Sequence, residues 1–337
     1  MRSFAFYQQR LDAVSRSFAL CIPQLEPPFR DYVALSYLLM RVTDTVEDAP
    51  FTDKLEQARQ FERLRGFLRV LPAPAEVDAF AAGFPSGLPS GEQELLRDTF
   101  ALLEDAHALP APVRAAVFGA VDRMAVGMAA YARRAPTLQL VDLEDVTRYC
   151  CFVAGLVGEM LGELWAVGRT ESPPPAALAY HFGVFLQKVN ILKDQREDEA
   201  AGRFLVPDRR ELMASLRTHA QGALDYLQAL PRSERGYRIF CAWSLMMGAV
   251  TIAHLDEPEQ SRRADTLQLL ARTASIAQDN DALARQFAEL MPRLPVFAPR
   301  APLAKPESVE SFLDMLAAPL TAAELYRLGI GVRDSAA

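Results

Sequence analysis

Glycine is scarce in this chain, 17 of 337 residues, and cysteine and histidine number four each. Cys21, Cys150, Cys151 and Cys241 show no C-x-x-C spacing, and His107, His181, His219 and His254 stand apart from one another. Neither a disulfide framework nor a zinc site is therefore expected. Cys150 and Cys151 fall in an apolar helical stretch and read as reduced core residues, which fits a reducing cytoplasm. Basic clusters are missing too: Lys and Arg are interspersed and the net charge is −7, which excludes nucleic acid as an expected partner. The first ten residues, Met1 to Arg10, lack the apolar run and small-residue cleavage site of a signal peptide. No apolar run reaches the ~20 residues that span a bilayer. Phe240 to Leu255 is interrupted by Ser244, Gly248, Thr251 and His254 and reads as a buried helix. The end from Leu325 through Arg327 and Arg333 to Ala337 carries no anchor, so any membrane contact is expected to be peripheral.

Alternating β patterns are nearly absent, whereas apolar residues recur at three and four almost everywhere. With 50% hydrophobic and 23% charged residues, the chain can bury a sizeable core. The expectation is all-α, one domain over residues 1–337. A strong helix is predicted from Pro28 to Ala49, stopped by Ala49-Pro50, and the next begins at Thr52 as N-cap. Pro72, Pro74, Pro85 and Pro89 mark a loop. Further helices are predicted over 91–107, 111–134, 142–168, 175–200, 208–230, 233–255, 260–290 and 307–328, with breaks at Ser172 to Pro175 and Pro292 to Pro306.

Asp44/Asp48 and Asp194/Asp198 are the only aspartates spaced i,i+4. That spacing stacks both carboxylates of a pair on one helix face. Like charges so placed repel, by a few tenths of a kcal/mol on an isolated helix and by more when buried, so a cation is expected to offset them. Mg²⁺ suits such oxygens, keeping several waters while bridging one or two carboxylates to substrate phosphates. Two rows that face each other therefore point to a divalent-metal diphosphate site.

Tyr37, Arg41, Asp44 and Asp48 share one stripe, in which the tyrosine either packs over a ligand or snorkels at the surface. Gln187, Asn190, Asp194 and Asp198 share a second, where Asn190 adds a neutral oxygen, and Lys193, Arg196 and Arg203 stand nearby as cations for a diphosphate. Between the two, Tyr149, Phe152, Val153, Leu156, Val157, Met160, Leu161 and Leu164 follow the helical period, interrupted by Gly155, Gly158 and Gly162. Each glycine costs ~1 kcal/mol against alanine in a helix interior, so close approach of a helix or of a ligand is expected there. An apolar channel floored by these glycines and capped by the aspartates would suit a prenyl chain.

Four ordered segments, Ser15 to Phe18, Arg41 to Asp48, Tyr149 to Gly158 and Asn190 to Asp198, resemble those of squalene synthases, within the broader squalene/phytoene synthase family. The resemblance covers roughly residues 10 to 255. It implies an all-α prenyl-synthase fold with a central cavity, the helices of 260–328 belonging to the same domain. It implies Mg²⁺, or Mn²⁺, held by Asp44, Asp48, Asn190, Asp194 and Asp198. It further implies that Arg16, Ser17, Arg41, Lys193 and Arg203 hold diphosphates and that Tyr149 assists proton removal, with the four aspartates counted in the catalytic set. Phe18, Tyr37, Val157, Leu161, Gln187 and Phe240 match cavity positions. The implied reaction joins two farnesyl diphosphates head to head through presqualene diphosphate and reduces the product with NADPH to squalene.

Departures bear on the second half-reaction. After Phe240-Cys241-Ala242 the chain reads Trp243-Ser244-Leu245-Met246-Met247, without the proline and glutamine of the animal and fungal enzymes, and position 151 is Cys where those carry histidine. There is no G-x-G-x-x-G, so a dinucleotide site of the Rossmann kind is not expected. The rival activities are dehydrosqualene and phytoene synthesis. A non-catalytic homologue, which would lose metal-binding aspartates, is disfavoured because this chain keeps all four. The expected enzyme is of the soluble bacterial type, cytoplasmic, with loose contact at the inner face of the membrane on account of its insoluble product; oligomeric state is not legible.

Overall fold

The computed structural model describes residues 1–134, 137–255 and 259–291. The expected helix 307–328 and the break from Pro292 to Pro306 lie outside the described residues. The fold is all-α. Its helices are α1 (Phe4–Val14), α2 (Phe18–Cys21), α3 (Phe29–Asp48), α4 (Lys54–Arg69), α5 (Pro74–Ala82), α6 (Ser90–Arg97), α7 (Thr99–His107) and α8 (Ala111–Ala132). They continue with α9 (Leu143–Cys150), α10 (Leu156–Ala166), α11 (Ala176–Lys193), α12 (Gln195–Ala200), α13 (Arg209–Ala229), α14 (Arg235–Ala253), α15 (Glu259–Ile276) and α16 (Asn280–Leu290).

Two helices organise the rest. Helix α3 is buried nearly all round, from Val33 through Leu35, Leu38, Leu39, Val42 and Val46, as expected of a helix with neighbours on every side. It packs on α1, α4, α7 and α8. Asp31 favours its first turn electrostatically, and Ala49, placed before Pro50, leaves the helical region at ψ 139° and ends it. Helix α11 holds the other half, lying along α13, α10 and α14. A continuous buried cluster joins both halves, including Tyr7, Leu39, Val121, Leu156, Phe185, Leu216 and Leu245. All four cysteines are buried within it, none joined in a disulfide.

Where α13, α15 and α16 meet, one cation ties the ends together. Arg238 of α14 is fully buried and donates to the carbonyls of Ala277 (2.6 Å), Leu227 (2.9 Å) and Leu230 (2.6 Å) and to Asn280 Oδ1. These carbonyls belong to helix C-termini, where orphan acceptors and the negative dipole end both favour a guanidinium.

Several predicted boundaries are corrected. The Pro72–Pro89 stretch contains α5, because Pro74 occupies a first-turn position that needs no N–H and Glu76 accepts from Ala73 N at 2.7 Å. Asp53, not Thr52, caps α4 through Leu55 N. The predicted helix 91–107 divides at Asp98 and 260–290 divides before Asn280, where Asp279 caps a fresh start. The 142–168 helix contains a π-helical turn at Cys151–Gly155, and 175–200 bends at Asp194. Helices Ala111–Ala132, Leu143–Ala166 and Arg235–Ala253 are, by length and composition alone, long and apolar enough to cross a bilayer, unlike the reading of Phe240–Leu255 by itself. Each is more than half buried against the rest of this fold.

Two short strands were not foreseen. Leu138–Gln139 (β1) pairs in parallel with Arg203–Phe204 (β2), and Leu140 N extends the ladder to Phe204 O at 3.0 Å. Gly202, at φ +79°, takes the left-handed conformation that turns the chain out of α12 into β2. Asp145 braces the opposite side, accepting from Val141 N, Tyr131 Oη and Arg134. The bridge matters because Arg203 rides on it.

Candidate active site

The C-terminal turns of α3 carry Asp44, Glu47 and Asp48, and its last turn has no basic residue. Carboxylates there oppose the negative end of the helix dipole and one another. Cations from elsewhere offset them. Arg203 Nη1 contacts Asp48 Oδ1, while Arg203 Nε lies 3.5 Å from Asp198 Oδ1. A single guanidinium thus stands between Asp48 of α3 and Asp198 of α12, one member of each aspartate pair.

Tyr149, on α9, completes the cluster. Its hydroxyl is 3.0 and 3.1 Å from the two carboxylate oxygens of Glu47, and Arg203 Nη2 reaches it at 3.4 Å. Tyr131 meets its ring edge-on, with centroids 5.1 Å apart. Burial, then the Glu47 charge, pushes the Tyr149 phenol well above its ordinary range. Burial also raises the Glu47 carboxyl to about 7, with Arg203 opposing and Asp48 adding to the rise. Asp198 is raised to about 6, again first by burial and then by Asp48 and Asp194 against the pull of Arg203. Asp44 is raised well above its usual value by burial, with Arg41 opposing and Asp48 and Glu47 reinforcing. Three carboxyls that resist ionisation together mark a place where added positive charge is favourable.

The oxygen donors suit Mg²⁺ in chemistry. Among the described residues, however, no three His, Cys, Asp or Glu side chains close tightly enough to enclose an ion alone. That fits an ion taking one or two carboxylates and completing its shell with water and phosphate, rather than a protein cage. The Arg203 and Arg41 Nε atoms are buried without a hydrogen-bond acceptor, two donors for which a bound anion is a natural partner.

The other predicted residues spread around this centre. Asp194 sits at the bend between α11 and α12 and pairs with Lys193 Nζ at 3.1 Å, while Asn190 is exposed one turn earlier. Arg41 contacts Glu92 and lies 3.7 Å from Asp44, so Glu92 shares a cation expected for diphosphate alone. Arg16 and Ser17 are exposed at the entry to α2. Phe18 stands 5.2 Å from Tyr37 and 6.1 Å from Phe240 between ring centroids, so these three aromatics cluster, and Tyr37 packs against the core rather than snorkelling. Leu161 is buried, and Val157 and Gln187 are half-buried on α10 and α11.

The expected glycine floor of a channel is not what the glycines build. A Cβ on Gly155 would lie 2.5 Å from the Tyr180 ring, and one on Gly158 2.5 Å from the Ala179 carbonyl. From the facing side, a Cβ on Gly183 would lie 2.3 Å from the Ala154 carbonyl oxygen. These positions seat the π-helical turn and α10 against α11. At Gly155 and Gly158 the close approach is that of a helix, whereas a Cβ on Gly162 would meet only Pro173 at 3.7 Å.

Glu47 was missed as a site residue, although three carboxylates within five residues at a helix C-terminus could have flagged it. Its partner phenol lies 102 positions away in sequence.

Known proteins resemble this chain in sequence and in fold. The squalene/phytoene synthase family pattern matches residues 11–210. Squalene synthase of Schizosaccharomyces pombe is 32% identical over 279 residues, covering 73% of this chain and 58% of that protein. That of Ganoderma lucidum is 32% identical over 209 residues, covering 58% and 42% respectively. The chain thus spans about half the length of these curated relatives. A solved ligand complex of TcSQS superposes with a TM-score of 0.71 over 93% of this chain and 95% of that one, at 23% identity, a likeness of fold.

Proposed function

Because the chain belongs to the squalene/phytoene synthase family, we propose that it is a prenyltransferase that condenses two farnesyl diphosphates head to head into presqualene diphosphate and reduces this with NADPH to squalene. The observation that carries the reading is the meeting of Asp48 and Asp198, from different helices, on the one guanidinium of Arg203 beside the buried Tyr149 hydroxyl. Asp44, Asp48, Asn190, Asp194 and Asp198 would hold Mg²⁺, which when bound supplies the positive charge that stabilises a departing diphosphate.

The chain's own groups fill the remaining roles. Arg203, Arg41 and Lys193 orient the diphosphates, with Arg16 and Ser17 at the rim. The Tyr149 phenol, held by Glu47, sits where a proton leaving the coupled chains can be relayed. Phe18, Tyr37 and Phe240, with Val157, Leu161 and Gln187, line the path of the prenyl tails and keep water from the allylic cation. For the nicotinamide cofactor, the strands of the parallel pair β1–β2 are two residues each and the sequence has no G-x-G-x-x-G turn, so the hydride step is assigned to no residue.

The test is incubation of purified protein with farnesyl diphosphate and Mg²⁺, with and without NADPH, and mass spectrometry of the extract. Squalene formed only with NADPH is expected. Presqualene diphosphate, a hydroxylated product or dehydrosqualene despite NADPH would remove the reductive half, and no conversion would overturn the reading. We further propose one domain, cytoplasmic, touching membrane only at its periphery on account of the insoluble product. Failure to co-sediment with lipid vesicles during turnover would refute that contact.

A further inference from the structure

Arg203 has an unusual position for a residue expected to grip a diphosphate. Its backbone is fixed by the ladder to Leu138 and by the left-handed turn at Gly202, so the side chain starts from a rigid base. The guanidinium is spent on protein groups: Asp48, Asp198 and the Tyr149 hydroxyl. Yet the grip is incomplete. Nε is buried without a hydrogen-bond acceptor, its distance of 3.5 Å to Asp198 being too long for a well-formed N–H···O bond. The side chain is also one-fifth exposed.

We infer that Arg203 is an internal counter-ion that competes with the divalent cation for Asp48 and Asp198, and that cation loading releases its guanidinium toward the diphosphate. The inference rests on the metal-dependent reading above and concerns the order of events within it. A guanidinium and a divalent ion cannot share the same carboxylate oxygens without strong mutual repulsion. Occupancy by one therefore weakens the hold of the other. The fork that leaves two carboxylates matches two oxygens of a phosphate equally well, so the displaced Arg203 has a partner once substrate arrives. Its departure also strips one of the contacts from Tyr149, leaving that hydroxyl to Glu47. Arg203 is therefore a positioning residue that links cation occupancy to the surroundings of the phenol.

The deciding measurement is Mn²⁺ affinity, read from the electron paramagnetic resonance of the free ion, on wild-type protein and on Arg203→Gln and Arg203→Lys, first without and then with inorganic pyrophosphate. Without pyrophosphate, Arg203→Gln is expected to bind Mn²⁺ about tenfold tighter than wild type, because a charge competing at contact distance is gone. Arg203→Lys, a point charge able to hold only one of the carboxylates, is expected to fall between them. Pyrophosphate should strengthen Mn²⁺ binding in wild type and much less in Arg203→Gln. Affinity unchanged or weakened in Arg203→Gln would overturn the inference, since general damage to the site weakens binding and only relief of competition tightens it. Should the glutamine variant not fold by circular dichroism, the lysine variant decides on the same criterion. Absence of Mn²⁺ binding to wild type even with pyrophosphate would overturn the metal-dependent reading itself, and this inference with it.

Discussion

Replacing Glu47 by glutamine should separate two consequences of one buried carboxylate. Glu47 is 9% exposed at the dipole-negative end of α3, with Asp48 beside it. Its midpoint of about 7, against an ordinary 4.5, means that ionising it in the folded protein costs about 3 kcal/mol more than in the unfolded chain. The sign follows from linkage. With the folded value raised, the native state binds more protons between pH 4.5 and 7, so this residue's contribution to stability is lost as pH rises through that window. Glu47→Gln removes the ionisation but keeps an oxygen to accept from Tyr149. In chelator, the variant should match wild type near pH 5 and exceed it by up to about 3 kcal/mol near pH 8, a rise of about 5 °C in melting temperature. Turnover should nevertheless fall, because the neutral amide holds the phenol less strongly. Paired thermal melts at the two pH values supply the check. Equal destabilisation at both pH values would refute the electrostatic argument and assign Glu47 a packing role.

Tyr149→Phe should retain the fold and lower product formation at least ~100-fold, with substrate affinity by equilibrium binding little changed. Asp44→Ala and Asp194→Ala should each abolish most turnover while circular dichroism stays native; activity near wild type would reduce the aspartate rows to surface decoration. Arg238→Met would leave the carbonyls of Ala277, Leu227 and Leu230 without their donor, for a loss of roughly 3–5 kcal/mol in urea denaturation and no direct effect on chemistry. Gly183→Ala would drive a methyl group onto the Ala154 carbonyl and force α11 off the π-helical turn, lowering melting temperature and turnover together.

The aspartate rows were legible because their spacing is a property of the helix and needs no knowledge of the fold. The end of α3 at Pro50 was legible for the same local reason. Arg203 was legible only as a nearby cation and Tyr149 only as the first residue of an apolar stripe; the catalytic role of Tyr149 came from the family resemblance, and each reaches the centre only through tertiary contacts. Glu47 escaped notice because it lies roughly a quarter-turn round the helix from the mean direction of the Tyr37, Arg41, Asp44 and Asp48 stripe, facing a tyrosine on another helix. Proline misled at Pro74, where the same residue that breaks a helix interior opens a helix instead. The glycines of Tyr149 to Trp165 announced a close approach but carried no label saying what approached.

The π-helical turn at Cys151–Gly155 has a consequence for counting. An ordinary helix advances by about 100° per residue, so one residue more or less rotates everything downstream by that angle. Tyr149 lies before the turn, Val157 and Leu161 after it. The widened turn thus acts as a phase setting between the phenol and the side chains proposed to wall the path of the prenyl tail. Removing one residue there would leave every side chain chemically intact and aim half of them elsewhere.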